Sequence, residues 1–96
     1  MRNYEGVFII NPELSNDSSK GVVTQIQELV SKNGGRVDGI QEWGKKRLAY
    51  KIKKKQEGNY VIMNFQLDSK YANKLDQALR MNDHLLRFLL VNKDAL

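Results

Sequence analysis

Apolar positions along the chain switch between alternating and helical spacing, and each switch marks an element. Residues 3–10, NYEGVFII, are rich in β-branched and aromatic side chains and stop at Asn11-Pro12, which predicts a first strand. Ser15, Asn16 and Asp17 offer N-caps ahead of Val22, Val23, Ile26, Leu29 and Val30, which recur at helical spacing. Gln25, Gln27, Glu28 and Lys32 fill the opposite face. Asn33-Gly34-Gly35 predicts the stop, because the left-handed residue that ends many helices is easiest for Gly.

A second strand is expected from residue 36 to about residue 53, with Gly39 and Gly44 marking a bend or bulge in so long a strand. Beyond Gly44, Leu48, Tyr50 and Ile52 alternate with Arg47, Lys51 and Lys53. Residues 54–59, KKQEGN, read as a turn. Residues 60–67 read as a third strand with Val61, Met63, Phe65 and Leu67 on one face, so the second and third strands form a hairpin. Asp68 is expected to cap a second helix whose stripe is Ala72, Leu75, Ala78 and Leu79, ended by Asn82-Asp83. Residues 85–92, LLRFLLVN, form the fourth strand.

The order is β-α-β-β-α-β. Right-handed crossovers then predict an α+β, ferredoxin-like sandwich: a four-stranded antiparallel sheet in the order 4-1-3-2 with both helices on one face. The second strand becomes an edge, and the other face of the sheet is left without helices. With 96 residues and no linker or low-complexity run, one domain over residues 1–96 is expected.

Charge changes this picture at one place. The net charge is +5, yet residues 45–55 hold seven Lys/Arg and no acid, against nine Lys/Arg and eleven Asp/Glu elsewhere. The basicity is a local patch on a slightly acidic body. One or two lysines would keep an edge strand from pairing with a neighbour. Seven positive residues in eleven positions point instead to a polyanion. Trp43 beside the patch has two readings, a half-buried aromatic anchoring the Gly44 bend or a platform for an unpaired base, and the first is favoured.

Other chemistry has little to stand on. There is no Cys, which excludes disulfides, thiolate catalysis and Cys-based zinc sites. His84 is the only His and reads as a residue of the junction before the fourth strand. The acids are scattered, Gly34-Gly35 lacks a phosphate-loop context, and no apolar run reaches the roughly 20 residues of a membrane span. No enzyme activity, cofactor, metal, small-molecule substrate or membrane is therefore expected, and the location expected is cytoplasmic. One alternative is a free-standing single-stranded RNA-binding domain of the RNA-recognition-motif type. The VFIINP stretch fits that motif's first strand, and Tyr4, Phe8 and Tyr60 would be its candidate rings. Its third-strand motif is missing, since Met63 stands where a stacking ring belongs.

Four stretches in order, MRNYEGVFIINPEL, EWGKKRLAYKIKK, GNYVIMNF and LRMNDHLLRFLLV, resemble the bacterial small-subunit ribosomal protein S6 family over essentially the whole chain. The resemblance implies a ferredoxin-like fold, no catalysis, and assembly onto the central domain of small-subunit ribosomal RNA with ribosomal protein S18 in the ribosome. Arg2, Asn3 and Tyr4 match the family's N-terminal segment, Trp43 to Arg47 its basic second-strand segment, and Arg80, Asn82, Asp83 and Arg87 the turn into the fourth strand. Together with the charge pattern, this implies RNA contacts from Arg2, Tyr4, Lys45, Lys46, Arg47, Lys54 and Lys55. Contacts to the protein partner are expected from Asn3, Trp43, Tyr50, Lys51 and Arg87. Where the family commonly has Pro after LAY, this chain has Lys51, which restores a backbone donor and adds charge.

Overall fold

The computed structural model describes residues 1–95. Strand β1 (Arg2–Ile10) is followed by helix α1 (Asn16–Lys32), strands β2 (Arg36–Ile52) and β3 (Lys55–Leu67), a 3₁₀ turn (Ser69–Tyr71), helix α2 (Ala72–Arg80) and strand β4 (Leu85–Asn92). The strands form one antiparallel sheet in the order β2-β3-β1-β4, with β2 and β4 at its edges. This is the expected ferredoxin-like arrangement. No helix among the described residues is long and apolar enough to cross a membrane.

Of the three candidate caps, Ser15 serves α1: its Oγ accepts from the Ser18 N–H at 3.1 Å. The helix stops at Lys32, where the Asn33 amide donates back to the Leu29 carbonyl at 2.7 Å. The second helix begins later than expected. Asp68 accepts from the Lys70 N–H at 3.2 Å and caps the 3₁₀ turn, and α2 follows from Ala72.

Strand parity sorts the side chains. Phe8, Ile10, Val61, Met63, Phe65 and Leu67 point toward α1 and α2 and are buried with Val22, Ile26, Val30, Leu75 and Leu79. Among the described residues no polar or charged side chain is buried, so this core is held by apolar contact alone. Each large side chain there contributes about 1.5–3 kcal/mol by leaving water. Val7, Ile9, Tyr60 and Leu89 point the other way, to the face without helices.

The hairpin differs from expectation. Its turn is Lys53-Lys54, and β3 starts at Lys55, five residues before the expected Tyr60. Lys53 and Lys54 adopt φ of 49° and 67°. Two successive positive φ values make the two-residue turn whose twist matches paired strands, usually built from Asn and Gly. Most of the segment expected to turn is ladder instead: Glu57, Gly58 and Asn59 pair with Arg47, Lys46 and Lys45. Gly58 is needed there for space, because a Cβ would collide with Ile9 Cγ2 on β1.

Candidate nucleic-acid interface

Three register shifts shape β2 and decide where its charges go. The second falls between Glu42 and Gly44, which face Val61 and Tyr60, and leaves Trp43 unpaired between them. The third is larger. Arg47 pairs with Glu57 and Ile52 with Lys55, so residues 48–51 face only Gln56. The surplus chain bends over the open face of the sheet. Leu48, Tyr50 and Ile52 there meet Val7, Ile9, Tyr60 and Leu89 around a groove of about 290 Å³. Arg87 Nη1 on β4 donates to Tyr50 Oη, joining the hairpin to the far edge of the sheet. Lys53 Nζ donates to the Leu85 carbonyl at 3.5 Å. The tip is therefore a curled arm and not a flat edge ribbon.

The basic run is rearranged by this geometry. Lys45, Lys46 and Arg47 occupy three successive rungs and are all exposed. Lys45 meets Lys54 and Lys55 around a concavity of about 350 Å³ that also includes Glu13 and Glu57. Lys55 is only about a quarter exposed and forms an ion pair with Glu13 at 2.5 Å. A segment free of acids in sequence thus acquires two carboxylates in space, Glu13 on Lys55 and Glu57 across from Arg47. Among the described residues Lys45, Lys46, Arg47, Lys51 and Lys54 form no ion pair. Their charge is available to an outside anion, whereas that of Lys55 is largely answered.

Two expected RNA contacts lie elsewhere. Tyr4 is 6% exposed, with its ring stacked on Phe65 at 5.5 Å between centroids, so it belongs to the core and offers no face to a base. Arg2 is exposed but pairs with Leu67, eight rungs from the Asn59 partner of Lys45. That is about 27 Å along the sheet at roughly 3.4 Å per residue. Phe8 is fully buried beneath the helices, which removes a second ring of the recognition-motif alternative.

The expected partner-protein set also divides. Tyr50 and Arg87 are joined directly, and Lys51 stands exposed beside them. Asn3 lies at the opposite end of β1. Its backbone N–H donates to Asp94 Oδ2 at 2.7 Å, and its carbonyl accepts from Lys93 N–H at 2.8 Å. That backbone bond, followed by the Asn3 side-chain amide, holds the Asp94 carboxyl below its usual value. Trp43 lies on the other side of the sheet, next to α1. It is 55% exposed, so about half of the ring is covered at the Gly44 bend and the rest is open to solvent.

The groove on the open face was not anticipated residue by residue. A signal was present: the VFII run in β1 is apolar at both parities, the mark of a strand covered on both faces. Arg80 and Asn82 are local. Arg80 pairs with Asp76 at 3.0 Å and lies over the Phe88 ring, and Asn82 Oδ1 accepts from the His84 N–H at 3.0 Å.

A model of the family described as ribosomal protein S6 matches residues 3–92. The small ribosomal subunit protein bS6 of Thermoanaerobacter pseudethanolicus is 43% identical over 94 residues, 98% of this chain and 99% of that protein. Its counterpart in Clostridium novyi is 37% identical over the same share of both. The crystal structure of 30S ribosomal protein S6 from Thermotoga maritima superposes with a TM-score of 0.92 at 26% identity. It covers 97% of this chain and 88% of that one.

Proposed function

The chain belongs to the ribosomal protein S6 family, structural proteins of the small ribosomal subunit and not enzymes, and from that premise we propose that its hairpin binds small-subunit ribosomal RNA in company with ribosomal protein S18. The observation that carries the reading is the strip of exposed, unpaired cations Lys45, Lys46 and Arg47, continued by Lys54 at the turn. Each would replace condensed counterions on a phosphate, and Arg47 would grip bidentately. The strip is short, so RNA shape and a second protein supply the remaining affinity.

The open face is the surface for that second protein. Its groove is apolar and flanked by exposed Leu89 and Tyr50. The Tyr50–Arg87 contact fixes the arm that forms one wall. Partner and RNA therefore use different parts of one hairpin, the RNA its straight paired section and the partner its curled tip.

The test is binding to the central domain of small-subunit rRNA, with and without S18, over a range of salt. Lys45/Lys46/Arg47→Ala is expected to weaken binding and to flatten the log–log salt slope by about 3, roughly one per lost phosphate contact. Tyr50→Ala is expected to reduce the gain that S18 brings while leaving the slope unchanged. The reading sinks if neither condition gives salt-sensitive binding, or if the triple variant binds as the parent does.

A further inference from the structure

Trp43 is the feature that neither the fold nor the phosphate strip uses. Most globular chains bury such a ring, since it carries the largest apolar surface of any side chain. Here a bulge ejects it from the β2–β3 ladder, and Gly44 at φ +79° completes the distortion. The ring ends 55% exposed at the mouth of a cleft of about 350 Å³ beside the first turns of α1. The indole is also held in place: Nε1 donates to Gln41 Oε1 at 3.2 Å.

The lining of the cleft is polar. Asn16, Ser19, Lys20, Glu42 and Asn59 surround the ring, and Asn59 Nδ2 donates to Ser19 Oγ at 2.8 Å. An exposed aromatic meant for a protein partner would sit among apolar neighbours. The apolar groove lies on the opposite face of the sheet. A bare phosphate suits the cleft poorly too, because the Glu42 carboxylate would repel it. What fits is a planar group with hydrogen-bonding edges, next to a chain of phosphates. Lys45, one rung beyond Gly44, and Lys20 stand where those phosphates would run.

We propose that this cleft seats one unpaired RNA base, stacked on Trp43 while Lys45, Lys46 and Arg47 hold the flanking phosphates. The proposal rests on the RNA-binding reading and deepens it: the basic strip supplies charge and Trp43 supplies the base contact. Every base has a π-face, so stacking alone does not select. Glu42 does select. Its carboxylate accepts from an exocyclic amino group, as on cytosine N4, and finds only a carbonyl on the matching edge of uracil.

Trp43 is the single tryptophan, so its emission reports this site alone. The full-length chain is titrated at low salt with decacytidylate, decauridylate and an RNA duplex of equal charge, and tryptophan emission is followed. In parallel, affinity for small-subunit rRNA is measured for Trp43→Leu, Trp43→Phe and Glu42→Gln. Saturable quenching by decacytidylate at lower concentration than by decauridylate, with none by the duplex, is expected. Trp43→Leu is expected to lose about tenfold in affinity, within the range known for one stacked base, while Trp43→Phe keeps most of it. Glu42→Gln should narrow the gap between the two oligomers. The proposal is overturned if rRNA binding stays salt-sensitive and dependent on Lys45, Lys46 and Arg47 while emission is unquenched and Trp43→Leu binds as the parent does. It is equally overturned if emission responds only to S18, which would assign the ring to the protein partner. Absence of any rRNA binding removes the underlying reading as well, and the two failures are told apart by whether the parent chain binds rRNA in a salt-sensitive way.

Discussion

The two faces of the sheet are built from the same strands and are closed by different means. On one, Phe8, Val61, Met63 and Phe65 lie under α1 and α2 with almost no exposure. On the other, Val7, Ile9, Tyr60 and Leu89 are roofed only by the curled tip of the β2–β3 hairpin, and Leu89 remains 59% exposed. The helices bring long apolar stripes in register with the strands. The tip brings three side chains, Leu48, Tyr50 and Ile52, and is tied down by two hydrogen bonds, Arg87 to Tyr50 and Lys53 to the Leu85 carbonyl. The helix face is thus where stability resides, and the open face keeps apolar area in reserve for a partner. Apolar area alone does not reveal which face is which. What separates them is how firmly each cover is attached.

The largest test of that contrast sets Phe8→Ala against Tyr60→Ala. Phe8 is fully enclosed, and its truncation leaves a cavity the helices cannot fill, so a loss of about 3–5 kcal/mol is expected in denaturant unfolding. Tyr60 is half-buried in an open groove, where water can take up the space. Its loss should be well under half as large. Equal losses would break the comparison. Next in size is Gly58→Ala. The added methyl has no room against Ile9, so β3 must shift at the base of the arm, at a cost of about 1–3 kcal/mol. Hydrogen exchange locates the damage. Faster exchange confined to the hairpin is expected, and protection lost equally across α1 and α2 would contradict two independently held faces.

A smaller effect of opposite sign is expected from Lys54→Gly. Lys54 sits at φ 67°, where an L-residue with a Cβ is strained by roughly 1–2 kcal/mol. Glycine removes the strain but also adds freedom to the unfolded chain, so a net gain of about 0.5–1 kcal/mol should appear. The same change deletes one cation of the strip. Stability and RNA affinity are then expected to move in opposite directions. A fold that tolerates two strained lysines at a turn built for Asn-Gly is consistent with a tip selected for charge and not for stability. No gain in the unfolding midpoint would remove that argument.

Element order, sheet order and the helix-facing core were legible because each rests on periodicity along the chain. Val61, Met63, Phe65 and Leu67 show their face by alternation, and Val22 to Val30 show theirs by helical spacing. The hairpin misled because composition outvoted geometry. Gln56 to Asn59 has the residues of a turn, yet Gly58 serves the close approach of Ile9, and lysines make the reversal. The site was legible as charge and not as arrangement. Lys45 and Arg47 are neighbours in the sequence itself, whereas Glu13 reaching Lys55 and Arg87 reaching Tyr50 join segments more than thirty residues apart. Tyr4 was expected at the RNA because it matches the family's N-terminal segment, while β1 parity turns its ring onto Phe65.

The smallest effect sharpens the comparison at the end of the sheet far from the hairpin. There Asp94 ties the segment after β4 to the start of β1 through its charge, accepting from the Asn3 backbone at 2.7 Å. That bond favours the ionised carboxyl and lowers its pKa in the folded chain below the ordinary carboxyl value of 3.8. The contribution to stability is complete above pH 3.8 and is lost as pH falls through the lower folded value, because the folded state then binds the proton less readily than the unfolded one. Asp94→Asn should therefore lower the melting temperature slightly at pH 7, and the gap to the parent should close as pH drops below 3.8. The group is exposed, so the effect stays small and weakens with salt. Melting curves at pH 7 and pH 3 decide it. A gap that persists at low pH would mean that Asp94 acts through packing and not through its charge. That end of the sheet would then be held in the same way as the core under the helices, by shape.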